Sequence, residues 1–117
     1  MACILLIDDD SQILTVLSEA LRYMGFEVQI ASDGDAGIEL IDSGYQCDLV
    51  ITDITMPRMS GNEVAKHIRG SNRPDIPIVA ITGFDDSAID RKLFNSLLMK
   101  PFSLDALFHI VRLLLRD

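Results

Sequence analysis

Five short apolar runs recur along the chain, and between them lie longer stretches whose apolar residues return every three or four positions. Continuous runs rich in Ile, Val and Leu suit strands covered on both faces, and the three-to-four spacing suits amphipathic helices. The first run, Cys3 to Ile7, leads into a helix capped by Asp10 or Ser11 and continuing to about Met24, with Ile13, Leu14, Leu17, Leu21 and Met24 inward and Gly25 as its stop. Phe26 to Ala31 is the second strand. Ser32-Asp33-Gly34 opens a helix to about Ser43, with Ala36, Ile38, Leu40 and Ile41 apolar and Gly44 closing it. Leu49-Val50-Ile51 forms the third strand and drives straight into Asp53, after which Pro57 and Gly61 break the run and a helix follows from about Asn62 to Arg69.

The fourth strand spans Ile76 to Ile81, with Pro77 tolerable near its start, and ends in Thr82-Gly83. Asp85 to about Leu93 is expected to be a short helix and Leu97 to Met99 a short fifth strand, followed directly by Lys100-Pro101. Ser103 caps a last helix from Leu104 to about Arg116. Its polar positions Asp105, His109, Arg112 and Arg116 fall in an arc of about 60° on a helical wheel, leaving roughly 220° apolar. That is more than one face against a sheet requires, so neighbouring helices or a partner, such as a second copy or a downstream protein, would cover the excess. Regular βα alternation with short helical connections imposes right-handed crossovers and a parallel sheet. The fold expected is a five-stranded, doubly wound α/β domain.

In such sheets ligands bind in the crevice beyond the carboxyl ends of the strands. Four of the five strands deliver polar groups there: Asp8-Asp9-Asp10 after the first, Asp53 at the third, Thr82 at the fourth and Lys100 after the fifth. Carboxylates converging in one crevice repel by about 4 kcal/mol per close pair at an effective dielectric near 20. A cation relieves that repulsion, and with no His or Cys in the set the economical one is Mg²⁺, a hard ion that takes oxygen ligands and keeps waters. A carboxylate faced by a metal, a hydroxyl and an ammonium is suited to a phosphoryl group, with Asp53 as the nucleophile. Taken singly, each residue has an ordinary structural role, as a helix cap, a strand-end hydroxyl or a solvated charge. Taken together and in this order, they define a site. Asp10 is read as a cap or rim acid, His67 and His109 as solvated, and Met56 and Met59 as loop packing.

Size and charge narrow the function. The 117 residues suit a single domain, and a net charge of −8 lacks the basic footprint of nucleic-acid binding. The mean hydropathy of +0.28 leaves room for some apolar surface serving a partner. The opening apolar run is too short for a membrane span or signal segment and is followed at once by three aspartates, so a cytoplasmic location is expected. Cys3 and Cys47 show no metal-binding spacing and are expected to be reduced, mostly buried thiols.

These landmarks resemble the receiver domain of the two-component response regulator family, from Ile4 to Arg116. The family's acidic pair falls on Asp8 and Asp9, its phospho-acceptor on Asp53, its Met-Pro and following Gly on Met56, Pro57 and Gly61, its switch hydroxyl on Thr82, and its Lys-Pro-Phe on Lys100, Pro101 and Phe102. The resemblance implies a flavodoxin-like sheet of order 2-1-3-4-5, a cis peptide between Lys100 and Pro101, and Mg²⁺ held by Asp9, Asp53 and the main-chain carbonyl of Thr55, with Asp8 acting mainly through metal-bound water. It further implies a phosphoryl group received from a histidine kinase or phosphotransfer protein, and a response at the surface formed by the fourth helix, fifth strand and fifth helix. Thr55 and Phe84 would influence the phosphoryl lifetime.

The chain departs from the family in two places. Leu97 occupies the position of a frequent aromatic switch residue, and the stretch from Thr82 to Lys100 is about one helical turn short, without the usual Gly-Ala before the fifth strand. The fourth helix is therefore expected to be short, displaced or irregular. No output domain is expected within these 117 residues. Two alternatives stand beside the signalling module, which is not expected to act as an enzyme beyond its own phosphorylation and dephosphorylation. One is a degenerate receiver that only binds partners. The other is a small Mg²⁺-dependent phosphohydrolase, since Asp53-Ile54-Thr55 is superficially similar to haloacid-dehalogenase-type motifs, although that motif's second acid is missing and the length leaves no room for a cap.

Overall fold

A computed structural model describes residues 2–83 and 88–115. Five parallel strands, β1 (Cys3–Ile7), β2 (Glu27–Ala31), β3 (Leu49–Asp53), β4 (Ile78–Thr82) and β5 (Ser96–Met99), form one sheet of order β2-β1-β3-β4-β5. Four α-helices accompany them among the described residues: α1 (Ser11–Tyr23), α2 (Gly34–Asp42), α3 (Gly61–Arg69) and α4 (Leu104–Leu114). The doubly wound fold and the strand order expected from the sequence are both present.

Side chains of the three inner strands alternate between two cores. Ile4, Leu6, Leu49, Ile51, Val79 and Ile81 pack against Leu14, Leu17 and Leu21 of α1 and Leu107 and Val111 of α4. Leu5, Ile7, Val50 and Ile78 turn the other way, onto Ile41 of α2 and Val64, Ala65 and Ile68 of α3. Every residue of β3 and β4 is buried, as their largely apolar sequence requires, and the polar Thr52, Asp53 and Thr82 are buried with them.

Local signals set the helix ends. The Asp10 carboxylate accepts from the amides of Gln12 and Ile13 to start α1, and Asp33 and Ser103 do the same for α2 and α4. Ser60 and Glu63 form a reciprocal capping box at α3, which starts that helix at Gly61, one residue before the start expected at about Asn62. Gly25 follows α1 at φ 98°, a left-handed conformation that side chains disfavour.

Register brings the carboxyl ends of the strands to one edge. Ile7 lies beside Thr52, Asp53 beside Ile81, and Thr82 beside Met99. At the outer edge, the Glu27 amide donates inward to the Ala2 carbonyl, so the neighbouring Val28 carbonyl faces outward and accepts instead from the Arg22 guanidinium at 2.9 Å.

The described part of the segment between β4 and β5 is irregular, as expected. The helix predicted over Asp85 to Leu93 is represented among the described residues by a 3₁₀ turn, Arg91–Leu93; its start lies in residues 84–87, outside those described. Pro77 lacks an N–H, and regular pairing of β4 begins at Ile78 rather than Ile76. In α4 only Leu107 and Val111 are fully buried. Phe108, Ile110 and Leu114 are partly covered, while Leu104 and Leu113 remain 42% and 50% exposed, so the wide apolar arc is only partly used by the fold. The predicted last residue of that helix, Arg116, lies outside the described residues. His109 is exposed as expected, while His67, also exposed, pairs through Nε2 with Asp42 of α2 at 2.8 Å.

Candidate functional site

The crevice at the carboxyl edge of β1 and β3 gathers three carboxylates. One oxygen from each of Asp8, Asp9 and Asp53 lies within 4.8 Å of the others. Asp8 is fully buried and Asp53 nearly so, whereas Asp9 is exposed. Buried strands carry Asp8 and Asp53 to this depth: β1 ends at Ile7 and β3 ends at Asp53 itself.

One oxygen of Asp8 accepts the Asp10 amide at 2.9 Å, while the other, Oδ2, is buried with no hydrogen-bond partner. A buried, unpartnered carboxylate oxygen is costly unless something positive completes it. Burial pushes the Asp8 carboxyl up to about 6, aided by the charges of Asp53 and Asp9 and opposed by the Asp10 amide and Lys100. Burial also raises Asp53, opposed chiefly by Lys100. The donor set is all oxygen, two of its three carboxylates are desolvated, and one oxygen is orphaned, so these residues fit a hard divalent cation such as Mg²⁺. Thr55, whose carbonyl the family resemblance adds as a ligand, lies two residues beyond Asp53 with its side chain exposed.

Lys100 stands opposite, with Nζ 3.8 Å from Asp53 Oδ1. The Lys100-Pro101 bond is cis, as the resemblance implied. Thr82 ends β4 and is buried, its hydroxyl donating to the Gly83 carbonyl at 3.3 Å rather than into the carboxylate cluster. The Lys100 amide donates to the Thr82 carbonyl at 2.7 Å. All the residues read from the strand ends thus share one edge: Asp8, Asp9 and Asp53 meet directly, Lys100 meets Asp53, and Thr82 meets Lys100 through the backbone. Asp10 serves as the cap of α1 and as an amide donor to Asp8.

Two features of the chain after β3 go beyond the sequence reading, which named Gly61 only as a breaker and a family landmark. Gly61 packs so tightly on the Asp53 carbonyl and the Ile54 Cα that a Cβ there would collide with both. Arg58 adopts φ 65° and pairs with Asp33 at 3.0 Å and Asp35 at 3.6 Å, tying the loop to the start of α2. An Arg in the left-handed region carries no sequence signal, since Gly, Asn or Asp usually marks it. Met56 and Met59 pack in the α2 and α3 core, as expected of loop packing. Leu97, half-buried, pairs in register with Ala80, and Phe84 lies outside the described residues.

Beside Lys100 an open groove of about 560 Å³ runs between α1 and α4, lined largely by apolar groups of Ile13, Val16, Leu17, Phe102 and Leu104. The two thiols take no part. Cys47 is buried, which keeps it protonated, and the half-exposed Cys3 is held protonated mainly by its bond to the Glu27 carboxylate.

The sequence profile of the response regulator receiver domain matches residues 4–112. The chain belongs to the response regulator receiver family. This receiver domain is 36% identical over 118 aligned positions to the response regulator MprA of Mycolicibacterium vanbaalenii, covering 97% of this chain and 50% of that protein. MprA of Mycobacterium tuberculosis is 34% identical with the same coverage. The receiver thus spans about half the length of these curated relatives. Among solved structures, the response regulator TrrA of Thermotoga maritima, determined in complex with Mg²⁺-BeF, superposes with a TM-score of 0.89 at 35% identity, covering 98% of this chain and all of that one. Chemotaxis protein CheY4 of Vibrio cholerae gives 0.87 at 27% identity, covering 98% and 99%. A two-component receiver is a signalling module controlled by phosphorylation, and neither alternative drawn from the sequence, phosphohydrolase or degenerate receiver, is favoured by these likenesses.

Proposed function

We propose that this receiver accepts a phosphoryl group on Asp53 from a phosphohistidine of a sensor kinase or phosphotransfer protein, and that Thr82 and Lys100 report the change. The observation that carries the reading is the cluster of Asp8, Asp9 and Asp53 with Lys100 Nζ 3.8 Å from the Asp53 carboxylate. A carboxylate oxygen of Asp53 attacks phosphorus, the P–N bond of the donor breaks, and the leaving imidazole takes up a proton. Asp8, Asp9, Asp53 and the carbonyl of Thr55 would hold Mg²⁺, which when bound supplies the positive charge that lets an anionic carboxylate meet an anionic phosphoryl group. Lys100 supplies a further charge from the opposite side. The Thr82 hydroxyl, now spent on the Gly83 carbonyl, is the donor available to a phosphoryl oxygen once one is present.

The donor protein must bring its phosphohistidine to the crevice, and the apolar groove beside Lys100 is adjacent to it. The exposed Leu104 and Leu113 of α4 leave surface for a second copy or a downstream protein. Among the described residues no helix is long and apolar enough to cross a membrane, and the acidic chain is expected to work in the cytoplasm without touching nucleic acid directly. Its only chemistry is on itself. Incubation with Mg²⁺ and acetyl phosphate should add one phosphoryl group by intact mass, absent in Asp53→Asn and absent with EDTA; steady hydrolysis of small phosphate esters would overturn the reading.

A further inference from the structure

The segment leading into β5 is tied to α3 at two points. Asn62 and Arg69 are seven residues apart on α3, so at about 100° per residue they project from nearly the same side. The Asn62 carboxamide donates through Nδ2 to the Ala88 carbonyl and accepts the Asp90 amide on Oδ1 at 3.0 Å. That two-way pairing copies one rung of a strand ladder. Arg69 donates through Nε to the Leu93 carbonyl at 3.1 Å and through Nη2 to Asn95 Oδ1 at 2.8 Å, while Nη1 reaches the carbonyls of Pro74 and Ile76 at 2.7 and 2.6 Å. Asn95 Oδ1 also accepts the Ile78 amide at 2.8 Å, and the Asn95 amide donates to the Ile78 carbonyl at 2.8 Å. The end of α3, the start of β4 and the approach to β5 therefore share one polar knot.

The other end of α3 is equally constrained. The Gly61 amide donates to the Ile54 carbonyl at 2.9 Å, directly after Asp53. The short 3₁₀ turn Arg91–Leu93 has too few i→i+4 bonds to shift as a rigid rod. A nine-residue α-helix can, and α3 is one.

We propose that α3 is the element that carries the change at Asp53 and Thr82 out of the site, with Asn62 as the positioning residue that couples it to the chain following Thr82. The inference rests on Asp53 being the phospho-acceptor. If Thr82 is drawn toward a phosphorylated Asp53, Ala88 and Asp90 farther along the same chain are displaced with it. Ala88 and Asp90 then pull on Asn62, and Arg69 passes the displacement to the base of the sheet.

The test uses the full chain labelled with ¹⁵N, with Mg²⁺ and beryllofluoride as the phosphoryl mimic. Amides of Ile54 and Thr55 report the site; amides of Ile68, Ile78 and Asn95 and the Nε–H of Arg69 report the far end of α3. Both sets are expected to shift in the native sequence. In Asn62→Ala the site set shifts as before and the far set loses at least half of its displacement; Asn62→Asp, which keeps an acceptor for Asp90 but no donor for Ala88, loses less. A far set that moves fully in Asn62→Ala, even with a lowered melting temperature, makes Asn62 a mere staple and overturns the inference. Absence of any shift at Ile54 and Thr55 in the native sequence removes the acceptor reading itself, and the inference with it.

Discussion

The Lys100 amide, directly after β5, and the Thr82 carbonyl at the end of β4 are joined by a 2.7 Å hydrogen bond. The bond needs no side chain, so the two groups that face a phosphoryl site stay in fixed relation whatever either side chain is. Lys100→Ala should therefore keep the fold and leave Asp53 able to accept phosphate, at a rate within about thirtyfold of the native chain, since one partly screened charge at 3.8 Å is worth about 1–2 kcal/mol. What should be lost is the coupling of a modified Asp53 to the surface, which runs through the Lys100 ammonium. Acetyl phosphate labelling followed by mass, beside the amide spectrum with beryllofluoride, checks both halves; a native activated spectrum in Lys100→Ala refutes the second.

Burial makes the ionised form of Asp8 unfavourable in the metal-free protein. Its carboxyl is raised to about 6 when folded, against about 3.9 in an unfolded chain. Between those values the native state holds more protons than the unfolded one, so stability falls as pH rises through the window and is highest toward its acidic end. Asp53 is shifted in the same direction. Asp8→Asn should stabilise the metal-free protein at pH 7 by roughly 1–3 kcal/mol and flatten the slope between about pH 4 and 6. Urea unfolding across pH measures both.

Saturating Mg²⁺ should reverse that ranking. A ligand at a hundred times its dissociation constant adds about 2.7 kcal/mol to the folded state, and the native cluster of Asp8, Asp9 and Asp53 should gain it while Asp8→Asn gains far less. Melting curves with Mg²⁺ and with EDTA decide the matter: equal shifts in both proteins would place the cation elsewhere.

Gly61 cannot take a side chain without moving the backbone of Asp53 and Ile54. Gly61→Ala should cost about 1–3 kcal/mol and slow phosphorylation more than any loss of folded protein explains. Denaturation and labelling rates measured on the same sample separate the two effects.

The fold and most of the site were legible because both are written locally. Buried parallel strands are continuous apolar runs, and Asp8, Asp53, Thr82 and Lys100 stand directly at their ends, where topology alone brings them together. The start of α3 was also legible, in Ser60-Gly61-Asn62-Glu63, but reading Gly61 as a breaker put the boundary at about Asn62 instead. What sequence did not reveal depends on distant partners. Nothing local marks Asn62 as a clamp on Ala88 and Asp90, or Arg69 as a hub for Leu93, Pro74, Ile76 and Asn95. The left-handed Arg58, held by Asp33 and Asp35, contradicts its own conformational preference.

The guanidinium of Arg22 on the outward Val28 carbonyl bears on how this protein behaves in a crowded solution. An outermost strand offers unpaired backbone groups to any extended chain that meets it, which is how stacked aggregates begin. Here a helix of the same molecule occupies one of those groups with a charged donor, while exposed Glu27 and Gln29 flank the exposed Ile30 with polar side chains. The consequence is colloidal: strand addition at β2 must first displace a charged donor from the Val28 carbonyl, which makes that border of the sheet a poorer template for self-association.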